Sequence, residues 1–430
     1  MIPSNEYAAR RQRILSVMEE DSIMVLFSGV EKVSSADEYY PFEVNRNFYY
    51  LTGIDQPDSS LILVNTDGEI REFLFVSPFD PVKEKWYGKR LTLQEASKIS
   101  GISNSQVNTT IMAKVAAILD PTLAQYGEVS HVYLDFEPEI KIADETTTRD
   151  YKDTLAASFP SVEILDAYPL ITTLRLRKSN KEIEEMRSAI RSTKLGIYSV
   201  MNDMADGKRE FEMADTFLHT INDDNGYQGL AFTTIMAAGK NATCLHYRTL
   251  QGTMHDGDLL LMDLGARNGY YCADVSRTVP VNGKFTKEQK EIYNIVLGAN
   301  KMVASILKPG VTIEELQQAT IMYLAEECLA KGYISKKEDI MNYYFHGVSH
   351  LIGLDTHDAY FAPNSRESKK IKLEPGMIIS DEPGLYMADR GIGIRIEDDL
   401  LVTEDGCEVL TAEIIKEADD IEAYLATKKK

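Results

Sequence analysis

The sequence predicts an α/β domain followed by an α+β domain that repeats one unit twice. Three observations carry that prediction. Short β-prone runs alternate with helical patterns in the first part of the chain, the signature of an α/β domain. In the remainder the order helix, helix, sheet occurs twice. Each of the two sheet segments carries a pair of carboxylates in apolar surroundings, Asp263 with Asp274 and Glu382 with Glu397. At about 100 to 200 residues per domain, 430 residues accommodate two or three. Two fit best, spanning 1–172 and 173–430.

In the first domain the β-prone runs are Ile23 to Phe27, Asn47 to Thr52, Leu61 to Asn65, Glu72 to Ser77 and His131 to Phe136. Helical patterns cover Tyr7 to Met18, Leu93 to Ser100, Ile111 to Tyr126 and Thr147 to Phe159. No Gly-rich phosphate loop follows any strand, which argues against a nucleotide site. Tyr39, Tyr40, Phe48, Tyr49 and Tyr50 form an aromatic cluster, read either as a core strand or as a wall facing a ligand or a neighbouring subunit. Trp86 is open to the same two readings.

The second domain opens with a capping box, Ser179 to Glu182, ahead of a helix with Ile183, Met186, Ile190, Ile197 and Met201 on one face. Glu210 to Asp223 reads as a second helix, followed by a strand around Ala231 to Ala237. Capping boxes recur at Thr286 to Gln289 and Thr312 to Glu315, each opening a helix. Strands follow again at Met377 to Glu382 and Gly393 to Val402, with the turn-rich Pro383-Gly384 and Arg390-Gly391 between them.

The run from Leu259 to Ser276 is a predicted hairpin. Asn268-Gly269 between two β-prone stretches signals a two-residue type I′ turn. With that turn, Asp263 lies opposite Asp274, their Cβ atoms about 5 Å apart, and like charges there are destabilising without a cation between them. A metal ion fits that position; two aspartates on a solvated edge are the alternative. In Gly393 to Glu397, period-two alternation places Arg395 and Glu397 on one face, where the guanidinium would keep the carboxylate ionised and oriented. A surface ion pair on an edge strand is the other reading.

Composition excludes several function classes. A net charge of −21 opposes nucleic-acid binding, because the phosphate backbone would be repelled. No run approaches the roughly 18 apolar residues of a membrane span. The first residues lack a signal-peptide core, so a cytoplasmic protein is expected. Cys244, Cys272, Cys328 and Cys407 form no CxxC pair, so neither a disulfide framework nor a zinc knuckle is indicated. Three of the seven histidines, His346, His350 and His357, fall within twelve positions. Their spacing is not that of a zincin, since Gly347 stands where Glu would be needed. His246 lies close enough in sequence to the first aspartate to reach the same pocket.

These motifs together resemble the metallopeptidases of the pita-bread fold, in the aminopeptidase P branch. The resemblance rests on Asp263-Leu-Gly, Ala273 to Thr278, Pro280 to Gly283, His346 to His350, Gly353 to Asp358, Glu382 to Tyr386 and Ile394 to Glu397. In the first domain it rests more loosely on Asn47 to Gly53 and Asp80 to Trp86, similar to the creatinase-type N-terminal domain. It implies a pita-bread catalytic domain with internal pseudo-twofold duplication. It also implies a site of two divalent metal ions held by Asp263, Asp274, His350, Glu382 and Glu397, with Asp274 and Glu397 bridging. Four carboxylates and one imidazole suit Mn²⁺ or a similar hard ion, with Zn²⁺ or Co²⁺ as alternatives.

The activity implied is release of the N-terminal residue from peptides with proline second, by attack of a metal-bridging hydroxide on the Xaa-Pro carbonyl. On this reading Glu382 shuttles a proton, His246 and His357 stabilise the developing charge, and His346 and Arg395 line the substrate site. A prolidase acting on Xaa-Pro dipeptides, or an inactive binding protein of the same fold, are the alternatives. The resemblance further implies a homodimer or homotetramer.

Overall fold

The protein is described from a computed structural model, over residues 2–120, 122, 123, 125–136, 147–226, 228–358 and 370–429. It divides into two compact units after Arg175. The expected boundary at 172 and 173 falls inside the helix Tyr168–Arg175. Among the described residues no helix is long and apolar enough to cross a membrane.

The first unit is built on a six-stranded mixed sheet, in the spatial order Ser105–Val107, Glu69–Val76, Ser60–Thr66, Ser22–Phe27, His131–Leu134 and Glu163–Asp166. The three longest strands form an antiparallel meander; the outer three join in parallel. Alternate residues Ile23, Val25, Ile62, Val64, Phe73 and Phe75 point to one face and pack with Ile111, Val115 and Ile118 of a covering helix. That spacing of two follows from the pleat.

One expected strand is a helix. Residues Arg46–Thr52 are α-helical, with the Asn45 side chain accepting from the Phe48 amide at its start and Gly53 at φ 69° closing it. Aromatic content had suggested a strand, yet the helix is specified by its two ends. Its last carbonyls are also satisfied: Arg10 donates to Tyr50 O and Arg11 to Leu51 O, both arginines fully buried. The aromatic cluster is therefore split. Phe48 and Tyr50 are buried, whereas Tyr39 and Tyr40 are exposed at a short hairpin, and Trp86 is exposed on a separate helix.

In the second unit the four long helices form at Asn180–Asp203, Glu210–Asn225, Lys287–Ile306 and Ile313–Ala330, three of them where the capping boxes place them. The second of these opens differently, with Arg209 rather than Ser or Thr at its cap. A three-stranded antiparallel sheet of Ile235–Ala238, Leu259–Leu264 and Val275–Pro280 belongs to the first repeat. Another, of Ile378–Asp381, Asp398–Val402 and Cys407–Val409, belongs to the second. One core spans both repeats, with Leu260, Met262 and Val279 from one and Leu385, Ile394 and Ile396 from the other. The stretch read as turn-rich contains a further strand, Gly384–Met387, paired antiparallel with Ile392–Arg395.

The hairpin register differs from expectation by two residues. Asn268 pairs with Tyr271 and Asp263 with Ser276, so the loop is Gly269-Tyr270 and Asp274 is not directly across from Asp263. Positive φ falls on Gly269 alone of the two loop residues, as a type II′ turn requires at its first central position. The strands also break between the turn and the site, where Asp274 N–H leaves the ladder to donate to Asp399 Oδ2.

Candidate metal centre

Each repeat places its two carboxylates at the same end of an antiparallel strand pair. Asp263 sits near the end of Leu259–Leu264, and Asp274 immediately precedes Val275–Pro280. Glu382 immediately follows Ile378–Asp381, and Glu397 immediately precedes Asp398–Val402. His350 comes from an irregular segment whose backbone is pinned to the second sheet. Its N–H donates to Ser380 Oγ at 2.9 Å, and its carbonyl accepts from Ser380 N–H at 2.9 Å.

Ligating atoms of Asp274, His350 and Glu397 lie within 4.8 Å of one another. His350 Nε2 is 3.4 Å from Asp274 Oδ2 and 3.6 Å from Glu382 Oε1. Its Nδ1–H donates to the Leu351 carbonyl at 3.1 Å, which leaves Nε2 as the atom facing those oxygens. An imidazole nitrogen converging with carboxylate oxygens is a donor set that a divalent ion can occupy. Asp263 Oδ1, buried and without a hydrogen-bond partner among the described residues, adds another oxygen to that set. The donor set thus fits a divalent metal on its own chemistry.

Electrostatics points the same way. Burial, then the charges of Asp263, Asp399 and Glu382, push the Asp274 carboxyl well above the usual carboxylate range. Burial and the Asp274 charge do the same to Glu397, and burial raises Glu382. Crowded carboxyls that resist ionisation in the bare protein are stabilised as anions by a bound cation.

Arg395 organises the wall behind them. Its Nη2 donates to Asp263 Oδ2 at 2.6 Å, its Nε to Ser276 Oγ at 2.9 Å and its Nη1 to Tyr386 Oη at 2.9 Å. Ser276 Oγ in turn donates to Glu397 Oε2 at 2.7 Å, so one guanidinium orients a carboxylate from each repeat. Behind Glu397, the buried Arg277 donates to the carbonyls of Ser276 and Glu397 and to Asp398 Oδ1.

Two further histidines, His346 and His357, are held neutral. His346 Nδ1–H donates to Gly347 O, and its Nε2 accepts from Tyr386 Oη at 2.9 Å. Burial and the Arg395 charge lower its pKa to about 4. Its ring contacts Tyr344 and Tyr386 edge-on, at centroid separations of 5.0 and 5.5 Å, and Phe345 adds a tilted contact to Tyr386. His357 lies with its ring centroid 4.2 Å from that of His350, whose charge, followed by burial, lowers it to about 4. His246, exposed on the loop after a 3-10 turn, acts electrostatically on both His346 and His357.

The expected residues are thus neighbours: the carboxylates and His350 at the centre, Arg395 behind, and His246, His346 and His357 around them. Sequence reasoning assigned no role to Tyr386, Ser276 or Gln317. Tyr386 and Ser276 lie inside quoted motifs, but their hydroxyl contacts depend on the fold. Gln317, which accepts from Val348 N–H and donates to His346 O, carries no sequence signal.

Residues 184–404 match the family profile described as Metallopeptidase family M24, and residues 7–125 that described as Aminopeptidase P, N-terminal domain. The chain is 34% identical to a Xaa-Pro aminopeptidase of Haemophilus influenzae, covering 98% of this chain and 97% of that one. A solved Bacillus anthracis protein, provisionally named an aminopeptidase P, is 41% identical with a TM-score of 0.94, over 99% of both chains. Aminopeptidase P from Escherichia coli, solved with the inhibitor Pro-Leu, is 30% identical with a TM-score of 0.89, over 100% of this chain and 99% of that one.

Proposed function

The chain belongs to metallopeptidase family M24 and carries the N-terminal domain of aminopeptidase P, and from that membership we propose that it removes the N-terminal residue from peptides with proline second. It is a metallo-aminopeptidase. The observation that carries the substrate reading is the aromatic group of Tyr344, Phe345, His346 and Tyr386 beside the acidic centre, an apolar surface suited to a pyrrolidine ring.

Asp263, Asp274, His350, Glu382 and Glu397 would hold two divalent ions, Mn²⁺ by the hardness of the set. Such ions, when bound, activate water at neutral pH and polarise the scissile carbonyl. Glu382 would take a proton from the attacking water and return it to the departing prolyl nitrogen. His346, neutral and with both ring nitrogens engaged, shapes the proline pocket and moves no proton. His357 and His246, on the open side, donate to the carbonyl oxygen as charge builds there; one such donor is commonly worth about 3 kcal/mol. Arg395 keeps Asp263 and Ser276 in place.

Hydrolysis of Xaa-Pro peptides with Mn²⁺, before and after Asp263→Ala, tests this reading. Loss of turnover in the variant is expected, and undiminished turnover rejects the assignment. A tripeptide cleaved in preference to the dipeptide separates this activity from that of a prolidase.

A further inference from the structure

Glu210 lies outside the acidic centre, at the start of the helix Glu210–Asn225, and is fully buried. A buried carboxylate is costly unless its oxygens are satisfied, and both of these are. Oε1 accepts from Ala238 N–H and Asn241 Nδ2, each at 2.8 Å. Oε2 accepts from Tyr247 Oη at 2.8 Å and Gly252 N–H at 2.6 Å. All four donors belong to one stretch of chain, from the end of the strand Ile235–Ala238 to the return at Gly252. The backbone closes the same ring, with Glu210 N–H donating to Gly252 O at 3.0 Å. Tyr247 is further engaged by Asn241 Nδ2 and by Gln251 N–H. The residue beside Tyr247 is His246.

We propose that Glu210 is a positioning residue for His246: its carboxylate gathers the loop from Ala238 to Gly252 and so presents that imidazole to the site. Near the tip Cys244, His246, Arg248 and Thr249 are exposed, and the remaining anchor is Leu245, packed on the cluster of Ile235, Ala242 and Tyr386. Carboxylate chemistry is required at this position. A glutamine has one acceptor oxygen where four donors converge, and its amide hydrogens would face two of them. The proposal rests on the reading of His246 as a donor to the reacting carbonyl.

The test compares Glu210→Gln, Tyr247→Phe, His246→Ala and the Glu210→Gln/His246→Ala double variant in hydrolysis of a Xaa-Pro tripeptide with Mn²⁺. His246→Ala is expected to lower kcat/KM about 100-fold. Glu210→Gln should lower it about 30-fold and Tyr247→Phe about 5-fold, with bound metal per chain unchanged. The double variant should fall no more than about twofold below His246→Ala, because two residues acting through one donor are not additive. Losses that multiply in the double variant, or wild-type kinetics in Tyr247→Phe, overturn the proposal. Tyr247→Phe keeps the test open if Glu210→Gln does not fold.

A second arm needs no turnover. In metal-free protein, trypsin should cut after the exposed Arg248 about tenfold faster in Glu210→Gln or Tyr247→Phe than in wild type. Equal rates overturn the loop-holding role. If wild type does not hydrolyse the peptide, the proposed function falls and the trypsin arm alone decides the role of Glu210.

Discussion

Arg395 Nη2 lies 2.6 Å from Asp263 Oδ2, and this contact ties the second repeat to the first at the acidic centre. The guanidinium reaches Asp263 from one repeat and, through Ser276, Glu397 from the other. Lysine offers one point charge where arginine offers a planar fork, so it cannot reproduce three directed contacts. Arg395→Lys is therefore expected to weaken Mn²⁺ binding by about 10- to 100-fold, the usual range for groups that orient metal ligands. Competition with a chelating dye measures this; unchanged affinity would separate Arg395 from the centre.

Asp274 is held among like charges in a buried site, which burdens the bare protein. Asp274→Asn should raise the melting temperature of the chelator-treated protein at pH 8 by a few degrees, equivalent to about 1 kcal/mol. The same substitution should abolish both turnover and the thermal gain on adding Mn²⁺. Scanning calorimetry with and without metal checks the pair of effects, and a lower melting temperature in the stripped variant would contradict the like-charge account.

The raised carboxyls also set a pH dependence. Their folded pKa values exceed the unfolded ones, so their contribution to stability is present below the ordinary carboxylate range, about 4, and is lost as pH rises through the raised values. A cation offsets that loss. The thermal gain from Mn²⁺ should accordingly be larger at pH 8 than at pH 5.5, and proton release should accompany binding at the lower pH. His346, lowered to about 4, acts with the opposite sign: its contribution is lost as pH falls from about 6.5 toward 4. A metal-induced gain that does not vary with pH would refute the coupling.

Tyr386 Oη accepts from Arg395 and donates to His346 Nε2, and burial pushes its own pKa up to about 12. Tyr386→Phe leaves a buried guanidinium donor and a ring nitrogen without partners, at a cost of about 1–3 kcal/mol. Urea unfolding should register that loss. Kinetically, KM for the proline peptide should rise more than kcat falls, because the displaced group is the pocket wall. An unaltered KM would argue that the hydroxyl is not part of the binding surface.

In the first unit, the helix Arg46–Thr52 depends on the Asn45 side chain at its start. Asn45→Ala should destabilise the protein by about 1 kcal/mol, the typical value of a lost N-cap. Chemical denaturation checks it. No change would mean that the arginine contacts at the other end carry the helix alone.

Much was legible without coordinates. Capping boxes at Ser179, Thr286 and Thr312 marked helix starts, because a side chain three residues from its partner amide acts locally. The residues of the acidic centre were identifiable from type and motif. What failed were inferences that convert local preference into pairing. Aromatic content at 47–52 suggested a strand, but Asn45, Gly53 and two buried arginines from a distant helix favour helix. Asn268-Gly269 suggested a turn that would have set Asp263 against Asp274; the loop lies one residue later, and the observed partner of Asp263 is Ser276.

By itself, the sequence determined the long helices that open on Ser179, Thr286 and Thr312, the two repeats of helix, helix and sheet, and which acidic and imidazole side chains the protein owns. These are properties of spacing and residue type along a short stretch. Only the tertiary structure decided that Asp274, His350 and Glu397 share one small volume, that Arg395 reaches Asp263 132 residues away in the chain, and that Glu210 gathers the loop of His246. Those relations join residues far apart in the chain, and they exist only once strand breaks and packed cores have turned the backbone toward a common point.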